Sequence, residues 1–324
     1  MAGKLSRRAL LGIAAPLLWS SLAFGSGSQQ VEYVISNNWT IKQFNSSGGY
    51  FLQFGGPGTG NGQFMLASGI AVDPNTNYVW VSDALLNRVQ EFDYSGNYIT
   101  QFGSTGTAPG KLYQPYGLTV DTSSNVWVAD TGNNRIQEFS STGAFVQSFG
   151  SLGGGPGQFN VPVGISTGSV PNLWVSDTGN NRIQVFTLNG GSTPPTFFSS
   201  FGGYGNGNGQ FKGPFSVSAY PLGGAAGALV ADPYNQRMQL FEQLSGPSSP
   251  FSFIEAIDSA PYTYPSPYGV AIDPSGFFWG VDYNANLVFK FNGATVLLSF
   301  GATGGSPVQL FHPTYIAIGA KPSS

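Results

Sequence analysis

One unit of sequence recurs along this chain and constrains its fold more than any other feature. The unit reads Val-Trp-Val-(Ser/Ala)-Asp and continues, five residues after the Asp, with Arg-(Ile/Val)-Gln-x-Phe. Clear copies occupy residues 80–92, 127–139 and 174–186, and weaker copies occupy residues 229–241 and 279–291. The Asp residues of successive copies are 47, 47, 55 and 50 residues apart. A period of this size indicates a repeat architecture in which each copy forms one supersecondary unit.

Each copy contains four short segments with the character of β-strands. In the second copy these are residues 116–121, 125–130, 135–139 and 144–150. The first alternates apolar and polar residues, as a half-buried strand does, and the second is rich in β-branched and aromatic residues. Turn-forming Asp, Asn, Gly and Ser residues separate them. Four antiparallel strands repeated at this period are typical of one blade of a β-propeller.

The two ends of the chain complement each other within one further copy. Residues 313–319 match only the first strand of a unit, whereas residues 32–35, 40–44 and 50–55 match its second, third and fourth strands. Pairing these segments completes a blade and leaves no unpaired edge around the ring. We therefore predict an all-β fold, a six-bladed β-propeller of four-stranded antiparallel blades, closed by the N-terminal strands pairing with the C-terminal strand.

Three motifs in the copies resemble the NHL-repeat family of six-bladed β-propellers. In the third copy they are Gly-x-Phe-x-x-Pro-x-Gly-Ile at residues 157–165, Asp-x-x-Asn-x-Arg at residues 177–182 and the closing Phe-Gly at residues 201–202. These positions recur in phase, so the resemblance covers residues 31–319. Some members of this family bind RNA and others are zinc-dependent lyases, so the resemblance implies the fold and no single activity.

The copies depart from this pattern at a few positions. Leu287 stands where the fifth copy should have Arg, and Thr40 stands there in the copy that is split between the two ends. Ile35 or Ser36 replaces the Asp of the split copy, and Leu229 replaces the Trp of the fourth copy. We expect these blades to form with different polar contacts at this corner.

The first 23 residues have the character of an export signal. Lys4, Arg7 and Arg8 form a basic start, and the apolar stretch that follows at residues 9–19 is short for a bilayer span. The Arg pair resembles a twin-arginine signal but lacks the usual Phe and Lys of that motif, so an ordinary secretory signal and an uncleaved anchor are the alternatives. We predict an export signal at 1–23, a short linker at 24–30, the propeller at 31–319 and a tail at 320–324. The protein is then exported to the periplasm or the extracellular space and has no stable membrane span once the signal is cleaved.

The charge balance narrows the class of partner. The chain has 12 Lys and Arg residues, and the nine outside the predicted signal compare with 15 Asp and Glu residues. Proteins that bind nucleic acid need a basic surface to neutralise phosphates, so we expect no nucleic-acid partner. The chain has no Cys, so disulfides and a Cys nucleophile are excluded. Its stability must come from the core and from closure of the ring.

Most of the charged residues belong to the repeat. A polar residue that recurs in phase with the fold is more often structural than catalytic. We therefore expect the Asp at the end of each second strand to accept backbone N–H bonds, and the Arg five residues later to tie strands or blades together. The residues with this predicted structural role are Asp83, Arg88, Asp130, Arg135, Asp177, Arg182, Asp232 and Arg237.

Residues for catalysis or tight metal binding form no recognisable set. The single His, His312, cannot supply the three protein ligands of a catalytic zinc site, and no carboxylate that would activate it as a base is identifiable. Asp73, Asp121, Asp273 and Asp282 are potential ligands for calcium, which related lactonase-type propellers hold in the central channel. Calcium needs six to eight oxygen ligands, and no such set departs from the repeat. We expect no catalytic residue, no metal and no cofactor, with calcium in the channel as the alternative.

One set of positions varies between copies. The residue that opens each first strand is in turn Ser68, Tyr116, Val163, Phe215, Tyr268 and Thr314. Because the first strands surround the axis of a propeller, these residues should ring one end of the channel. Exposed aromatic residues with few charges suit binding of sugars or of apolar peptide segments, although they also suit packing on each other as a plug. The predicted ligand-binding residues at this end are Tyr113, Tyr116, Phe215, Tyr268 and His312.

These observations support three functional hypotheses. The first is an exported, non-catalytic binding or scaffold propeller that recognises a protein, peptide or glycan through loops at one end of its central channel. The second is a secreted, metal-dependent propeller lyase or lactone hydrolase, and the third is an extracellular assembly subunit. The use of nearly every charged residue by the repeat favours the first hypothesis over an enzyme.

Overall fold

The structure is a computed structural model that describes residues 29–168, 172–222, 225–243, 250–258, 266–304 and 306–321. In these ranges, 24 strands form six separate sheets of four antiparallel strands, and the helical content is three short 3-10 turns. The predicted six-bladed β-propeller is confirmed. The predicted signal at 1–23, most of the linker and the last three residues of the tail lie outside the described residues.

One blade, which we call the closing blade, contains strands from both ends of the described chain, and its first three strands in chain order come from the N-terminal end. These strands are β1 (Gln29–Ser36), β2 (Thr40–Asn45) and β3 (Tyr50–Gly55). Blade 1 then contains β4 (Ala67–Val72), β5 (Val79–Asp83), β6 (Arg88–Phe92) and β7 (Tyr98–Phe102). Blade 2 contains β8 (Pro115–Val120), β9 (Val126–Asp130), β10 (Arg135–Phe139) and β11 (Phe145–Phe149).

The remaining blades follow in the same order. Blade 3 contains β12 (Pro162–Thr167), β13 (Asn172–Asp177), β14 (Arg182–Thr187) and β15 (Thr196–Gly202). Blade 4 contains β16 (Val217–Leu222), β17 (Ala225–Asp232), β18 (Arg237–Gln243) and β19 (Phe251–Asp258). Blade 5 contains β20 (Pro267–Ile272), β21 (Phe278–Asp282), β22 (Leu287–Asn292) and β23 (Thr295–Gly301), and β24 (Ile316–Lys321) returns to the closing blade. The 3-10 turns Thr131–Asn133, Thr178–Asn180 and Pro233–Asn235 follow the second strands of blades 2, 3 and 4.

The closing blade joins the two ends of the described chain. Its strand order is β24-β1-β2-β3, and β24 pairs antiparallel with β1, with Gln29 opposite Lys321 and Val34 opposite Ile316. The first strand of each blade contacts the first strand of the next, and contact between β24 and β4 completes the circle. Closure of the ring by the N-terminal strands and the C-terminal strand is therefore confirmed.

The hydrophobic core lies between blades rather than within them. The described residues form six buried apolar clusters, each with side chains from two neighbouring blades. Between blades 2 and 3, for example, Trp127 and Ile136 lie in one cluster with Phe159, Leu173 and Phe186. A single blade has no partner for these surfaces, so the blades stabilise one another around the ring.

Neighbouring first strands approach so closely that Gly is required at one position. A Cβ atom on Gly117 would lie well within 3.0 Å of the carbonyl oxygen of Val163 in the next blade. A Cβ atom on Gly164 would overlap the carbonyl oxygen of Phe215 in the same way. In both cases the obstacle is backbone, which cannot move aside as a flexible side chain can. This close approach sets the narrow width of the channel and brings the residues at its end together.

Replacing Gly117 with Ala should therefore destabilise the protein. We expect a loss of about 1–3 kcal/mol, typical of overpacking, measured as a lower midpoint of denaturant unfolding. Gly154→Ala is the matched control, because a Cβ atom there would meet nothing within 4 Å. Its free energy of unfolding should change by less than about 0.5 kcal/mol. Equal midpoints for the two variants would show that the first strands can separate at little cost.

Candidate functional site

Two sets of loops lie at the same end of the blades and form one surface, which we call the mouth face. The backbone N–H of Gly132 donates to the carbonyl of Tyr113 (2.8 Å), and that of Tyr283 donates to Ser266 (3.0 Å), so turns after second strands contact loops before first strands. The mouth face comprises loops 64–66, 112–114, 159–161, 211–214, 266 and 310–314 and turns 37–39, 84–87, 131–134, 178–181, 233–236 and 283–286.

Three of the predicted binding residues meet at the centre of the mouth face. Phe215 of blade 4 contacts Tyr116 of blade 2 and Tyr268 of blade 5, with ring centroids 6.3 and 4.7 Å apart. It also contacts Tyr315 of the closing blade at 5.6 Å. The rings meet edge-on or tilted, which is the favourable arrangement for aromatic pairs. The contacts cross the channel, so the rings pack on each other as in the plug alternative.

These central rings are nevertheless not fully enclosed. Tyr116, Phe215 and Tyr268 are half-buried, whereas Tyr315 is buried beneath them. Burial raises the pKa of the Tyr116, Tyr268 and Tyr315 phenols, which keeps them neutral. The centre of the mouth face is thus an uncharged aromatic floor.

His312 extends this aromatic group toward the rim. Its imidazole stacks on Tyr283 with 4.3 Å between centroids and 7° between planes, and Tyr283 contacts Tyr268 at 5.1 Å. The His312 backbone N–H donates to the side chain of Asn286 (2.6 Å), which fixes its position. Among the described residues, no carboxylate forms a hydrogen bond with the imidazole ring, which packs on Tyr283 and Phe311.

Sequence reasoning missed Tyr283 and Tyr315. Tyr315 stands where blades 1, 2, 3 and 5 have the Gly of their first strands, and this departure from the repeat was the available signal. Tyr283 follows the repeat Asp of the fifth copy in a turn whose position relative to the channel was not evident from periodicity.

Exposed apolar side chains surround the aromatic floor. Tyr113 lies against Gly132 and is 45% exposed. The other large exposed apolar residues of the mouth face are Met65, Leu85, Val161, Tyr234 and Phe311. Lys212 is the one Lys, Arg, Asp or Glu in the loops and turns that define this face. The mouth face therefore presents aromatic and aliphatic groups with almost no charge.

The residues predicted to be structural hold the loops of this face in place. Arg135 forms an ion pair with buried Asp130 (2.7 Å) and donates to the carbonyls of Thr107 (2.7 Å) and Lys111 (2.9 Å). Asp130 in turn accepts the backbone N–H of Tyr113 (2.7 Å). Blades 3 and 4 repeat the ion pair as Arg182–Asp177 (2.7 Å) and Arg237–Asp232 (3.2 Å). Each pair fastens a blade to the loop that enters it.

Blade 1 lacks this ion pair although it has both residues. Arg88 donates to the side chain of Gln101 and to the carbonyls of Gly60 and Gln63, each at 2.8 Å. Asp83 instead accepts backbone N–H bonds, including that of Leu86 (3.2 Å). Blade 1 also has Leu86 where blades 2, 3 and 4 have an Asn whose amide donates to the Asp carboxylate.

The blades that lack Arg use other polar contacts. In the closing blade, the Lys42 ammonium donates to the carbonyls of Gln309, Pro307 (3.2 Å) and Ser306 (3.3 Å). In blade 5, Asp282 accepts the backbone N–H of Ser266 (3.0 Å) without a cation. Lys42 thus performs, from a different position in the strand, the loop fastening that Arg performs elsewhere.

A buried carboxyl group lies at the end of the blades opposite the mouth face, beside β24. Glu32 on β1 is 0% exposed, and burial raises its pKa to about 7. Gln30 donates to it (2.7 Å), and Lys290 and Asp273, themselves 3.2 Å apart, lie nearby. In the described ranges, no three or more His, Cys, Asp or Glu side chains are grouped to hold a metal ion. The expectation of no metal stays a prediction, and calcium in the channel stays its alternative.

The described residues contain no helix with the length and apolar character needed to cross a bilayer.

Comparison with known proteins supports the fold. The model of the SMP-30/gluconolactonase/LRE-like region family matches residues 60–150, which include blades 1 and 2. Among curated proteins, none matches this sequence significantly. The NHL-repeat resemblance is consistent with these findings, since the matched family also consists of related propellers, but it is not specifically established.

Several solved structures share the architecture. A chain of the nidogen/laminin complex is 13% identical, with 90% of this chain and 98% of that chain covered and a TM-score of 0.61. Streptogramin B lyase is 16% identical, with 90% and 87% covered and a TM-score of 0.57. Virginiamycin B lyase from Staphylococcus aureus is 17% identical, with 77% and 73% covered and a TM-score of 0.51, and a variant of it with one His replaced by Ala is described as catalytically inactive. At these identities the likeness shows the fold alone.

Replacing Arg135 with Ala should lower the melting temperature. The substitution leaves the buried Asp130 carboxylate without its cation, which costs about 3 kcal/mol for a pair of this kind. Lys111→Ala removes the same charge from an exposed side chain of the loop that Arg135 binds, and it should leave the melting curve within experimental error. An unchanged melting curve for the Arg135 variant would refute a structural role for the repeat Arg.

Glu32 should make the stability of the protein depend on pH. Its pKa is higher in the folded state than the ordinary value of 4.5, so its contribution is complete below that value and is lost as pH rises through about 7. Glu32→Gln should remove this loss. The change in the free energy of unfolding caused by the substitution should therefore be more favourable at pH 8 than at pH 5, by up to about 3 kcal/mol.

Asp93→Asn provides the control for this pH effect. Hydrogen bonds from Asn97 and Ser95 more than offset burial and hold the pKa of Asp93 below its ordinary value of 3.8, so Asp93 is ionised in both states from pH 5 to 8. Its substitution should change stability equally at the two pH values. A Glu32 variant that behaves like this control would contradict the assignment.

Proposed function

We propose that this protein is an exported, non-catalytic binding propeller that recognises its partner with the mouth face. The observation that carries this proposal is the half-buried aromatic floor of Tyr116, Phe215 and Tyr268, enclosed by exposed apolar side chains on a surface with one Lys. Contiguous exposed apolar surface on a soluble protein typically marks an interaction site. Aromatic residues at the centre and depletion of charge are the composition of interface cores.

A protein or peptide fits this surface better than a glycan. Sugars bind through stacked rings together with several free charged or amide groups, but the turn amides of Asn133, Asn180 and Asn235 already donate to Asp carboxylates. The rim adds the aliphatic residues Met65, Leu85 and Val161. The nidogen/laminin complex supports this reading, because a chain of that assembly has the same fold and takes part in a complex between proteins. The excess of acidic residues argues against nucleic acid as the partner.

Export is part of the proposal and rests on the sequence of residues 1–23. An N-terminal basic start followed by a short apolar stretch is the pattern of a cleavable signal. The chain has no Cys, so it has no thiol that could be oxidised in the periplasm or in the extracellular space.

The lyase hypothesis is the alternative, favoured by the likeness to streptogramin B lyase and by the family match at residues 60–150. A His-to-Ala change is described as inactivating one such lyase, and this chain places its single His on the mouth face. Stacking of His312 on Tyr283 without a carboxylate partner argues for packing rather than base catalysis. Elemental analysis of purified protein separates the hypotheses, since a stoichiometric divalent metal would favour the lyase.

The binding proposal is tested with a random peptide display library and a glycan array as probes. We expect enrichment of peptides with apolar and aromatic residues. The double substitution Tyr113→Ser and Phe311→Ser should weaken binding of the enriched peptides by about 30-fold or more, as loss of interface anchors does.

Tyr94→Ser is the matched control for this experiment. Tyr94 is 38% exposed, close to the exposure of Tyr113, but lies in a turn at the opposite end of the blades. Peptide binding that survives the double substitution, or no enrichment at all, would contradict the proposal. The molar mass of the parent protein in light scattering could instead rise with concentration, and the double substitution could abolish this rise. That result would favour the assembly-subunit hypothesis.

A further inference from the structure

A second concave site, the lateral pocket, lies at the opposite end of the blades from the mouth face, between blades 2 and 3. It has a volume of about 400 Å³, within the range of small-molecule sites. The walls are formed by turn residues 121–125 and by Trp127, Glu138 and Gln147 of blade 2, together with residues 188–193 of blade 3.

The lateral pocket exists because blade 3 departs from the repeat. The loop between β14 and β15 spans residues 188–195, whereas the matching loop of blade 2, between β10 and β11, spans residues 140–144. Gly190 and Gly191 turn this longer loop with positive φ angles of 72° and 58°. It reaches blade 2, where the carbonyl of Gly191 accepts a hydrogen bond from Gln147 (3.3 Å). An insertion that shapes a pocket across two blades is not required by the propeller fold.

The wall contributed by blade 2 contains an acceptor without a partner. Gln147 is 8% exposed, and its amide nitrogen donates to Glu138 and to Gly191. Its carbonyl oxygen is buried and has no hydrogen-bond partner among the described residues. A buried polar atom left in this state is costly, and native proteins normally satisfy such atoms. This amide oxygen is closed to solvent, so it acts on the pocket through its negative partial charge, which adds to that of the neighbouring Glu138 carboxyl group.

The indole and amide donors in the wall are already engaged, and the hydroxyls of Thr122, Ser123 and Thr193 can accept as well as donate. The Trp127 indole N–H and the Asn125 amide both donate to Asp121, at 3.0 and 3.2 Å. The Asn189 amide donates to the carbonyl of Pro194 (2.7 Å). The lining includes the carboxyl groups of Asp121 and Glu138 and contains no Lys, Arg or His. The pocket thus offers acceptors and negative charge, and few free donors.

We propose that the lateral pocket binds an organic cation, a primary ammonium or guanidinium group, which donates to the carboxylate of Glu138. Ammonium and guanidinium groups are donors without acceptor atoms, which matches a wall rich in acceptor oxygens and without a cation of its own. Charge-assisted hydrogen bonds to a carboxylate are stronger than neutral ones, so Glu138 supplies the larger part of the attraction. The described residues place no three His, Cys, Asp or Glu side chains together to hold a metal ion, which favours an organic cation over calcium.

The electrostatics of Glu138 agree with this ligand. Burial and the nearby charge of Asp121, the charged group that faces it, raise the pKa of Glu138. A bound cation offsets both effects and favours the ionised carboxylate. Binding should therefore strengthen as pH rises.

Calorimetric titration with 1,5-diaminopentane and with the peptide acetyl-Gly-Lys-Gly-amide tests the proposal. We expect both cations to bind, whereas the uncharged analogues 1-pentanol and acetyl-Gly-norleucine-Gly-amide should not. Tighter binding of the Lys peptide would assign the natural cation to a side chain of a protein partner, and equal or tighter binding of the diamine would assign it to a free amine.

Glu138→Gln should weaken binding of both cations about tenfold or more, because it removes the charge and keeps the shape. Glu91→Gln is the matched control, since Glu91 occupies the same position in the third strand of blade 1 and does not line the pocket. A melting temperature for Glu138→Gln at or above that of the parent protein would show that the fold is intact.

Three outcomes would overturn the proposal. The first is no binding of either cation at millimolar concentration, and the second is equal binding of cations and uncharged analogues. The third is equal affinity of the parent protein and the Glu138 variant. The proposal is independent of the mouth face, because the Tyr113 and Phe311 double substitution should leave cation binding unchanged.

Discussion

The antiparallel pairing of β1 with β24 is the interaction on which the rest of the structure depends. The chain has no Cys, so no covalent bond other than the backbone can hold the ring closed. The apolar clusters lie between blades, so separating β1 from β24 would expose the cores on both sides of the closing blade. Phe215 contacts Tyr315, the residue directly before β24, so the same strand also supports the aromatic floor. Hydrogen bonding between strands almost 300 residues apart thus maintains both the core and the mouth face.

The polar residues of the repeat and the variable residues of the mouth face have different tasks. Asp130 and Arg135, together with their counterparts, hold the entering loops by ion pairs and carbonyl hydrogen bonds. Because these contacts use backbone atoms of the loops, they leave loop side chains such as Tyr113 free to vary. Lys42 shows that the fastening can be achieved with another cation from another position. A propeller can therefore change its binding surface without changing what holds the surface in place.

The sequence predicted those features that recur in phase. The strands of blade 2 lie within about one residue of their predicted bounds, because alternation and turn chemistry agree in every copy. The placement of Tyr116, Phe215 and Tyr268 at one end of the channel was predictable, because first strands must surround the axis. Whether these rings would also contact each other depended on the width of the channel, which is set by backbone approach at Gly117 and Gly164. Periodicity carries no information about that distance.

Other features depend on contacts between copies, and the sequence could not reveal them. The lateral pocket combines Glu138 and Gln147 of one blade with the long loop of the next, so no single copy contains its pattern. The missing ion pair of Arg88 could not be read from its own copy either, because that copy has both the Asp and the Arg.

The position of the split blade has a topological consequence. Gln29 and Lys321 lie opposite each other in one sheet, so a short linker could connect these two points without disturbing any strand pair. New ends could then be opened in a loop between two other blades, such as residues 150–161. The same ring would result from such a circularly permuted chain, in which blades 2 and 3 are held together by packing alone. The position at which the chain starts is therefore separable from the arrangement in which the blades pack.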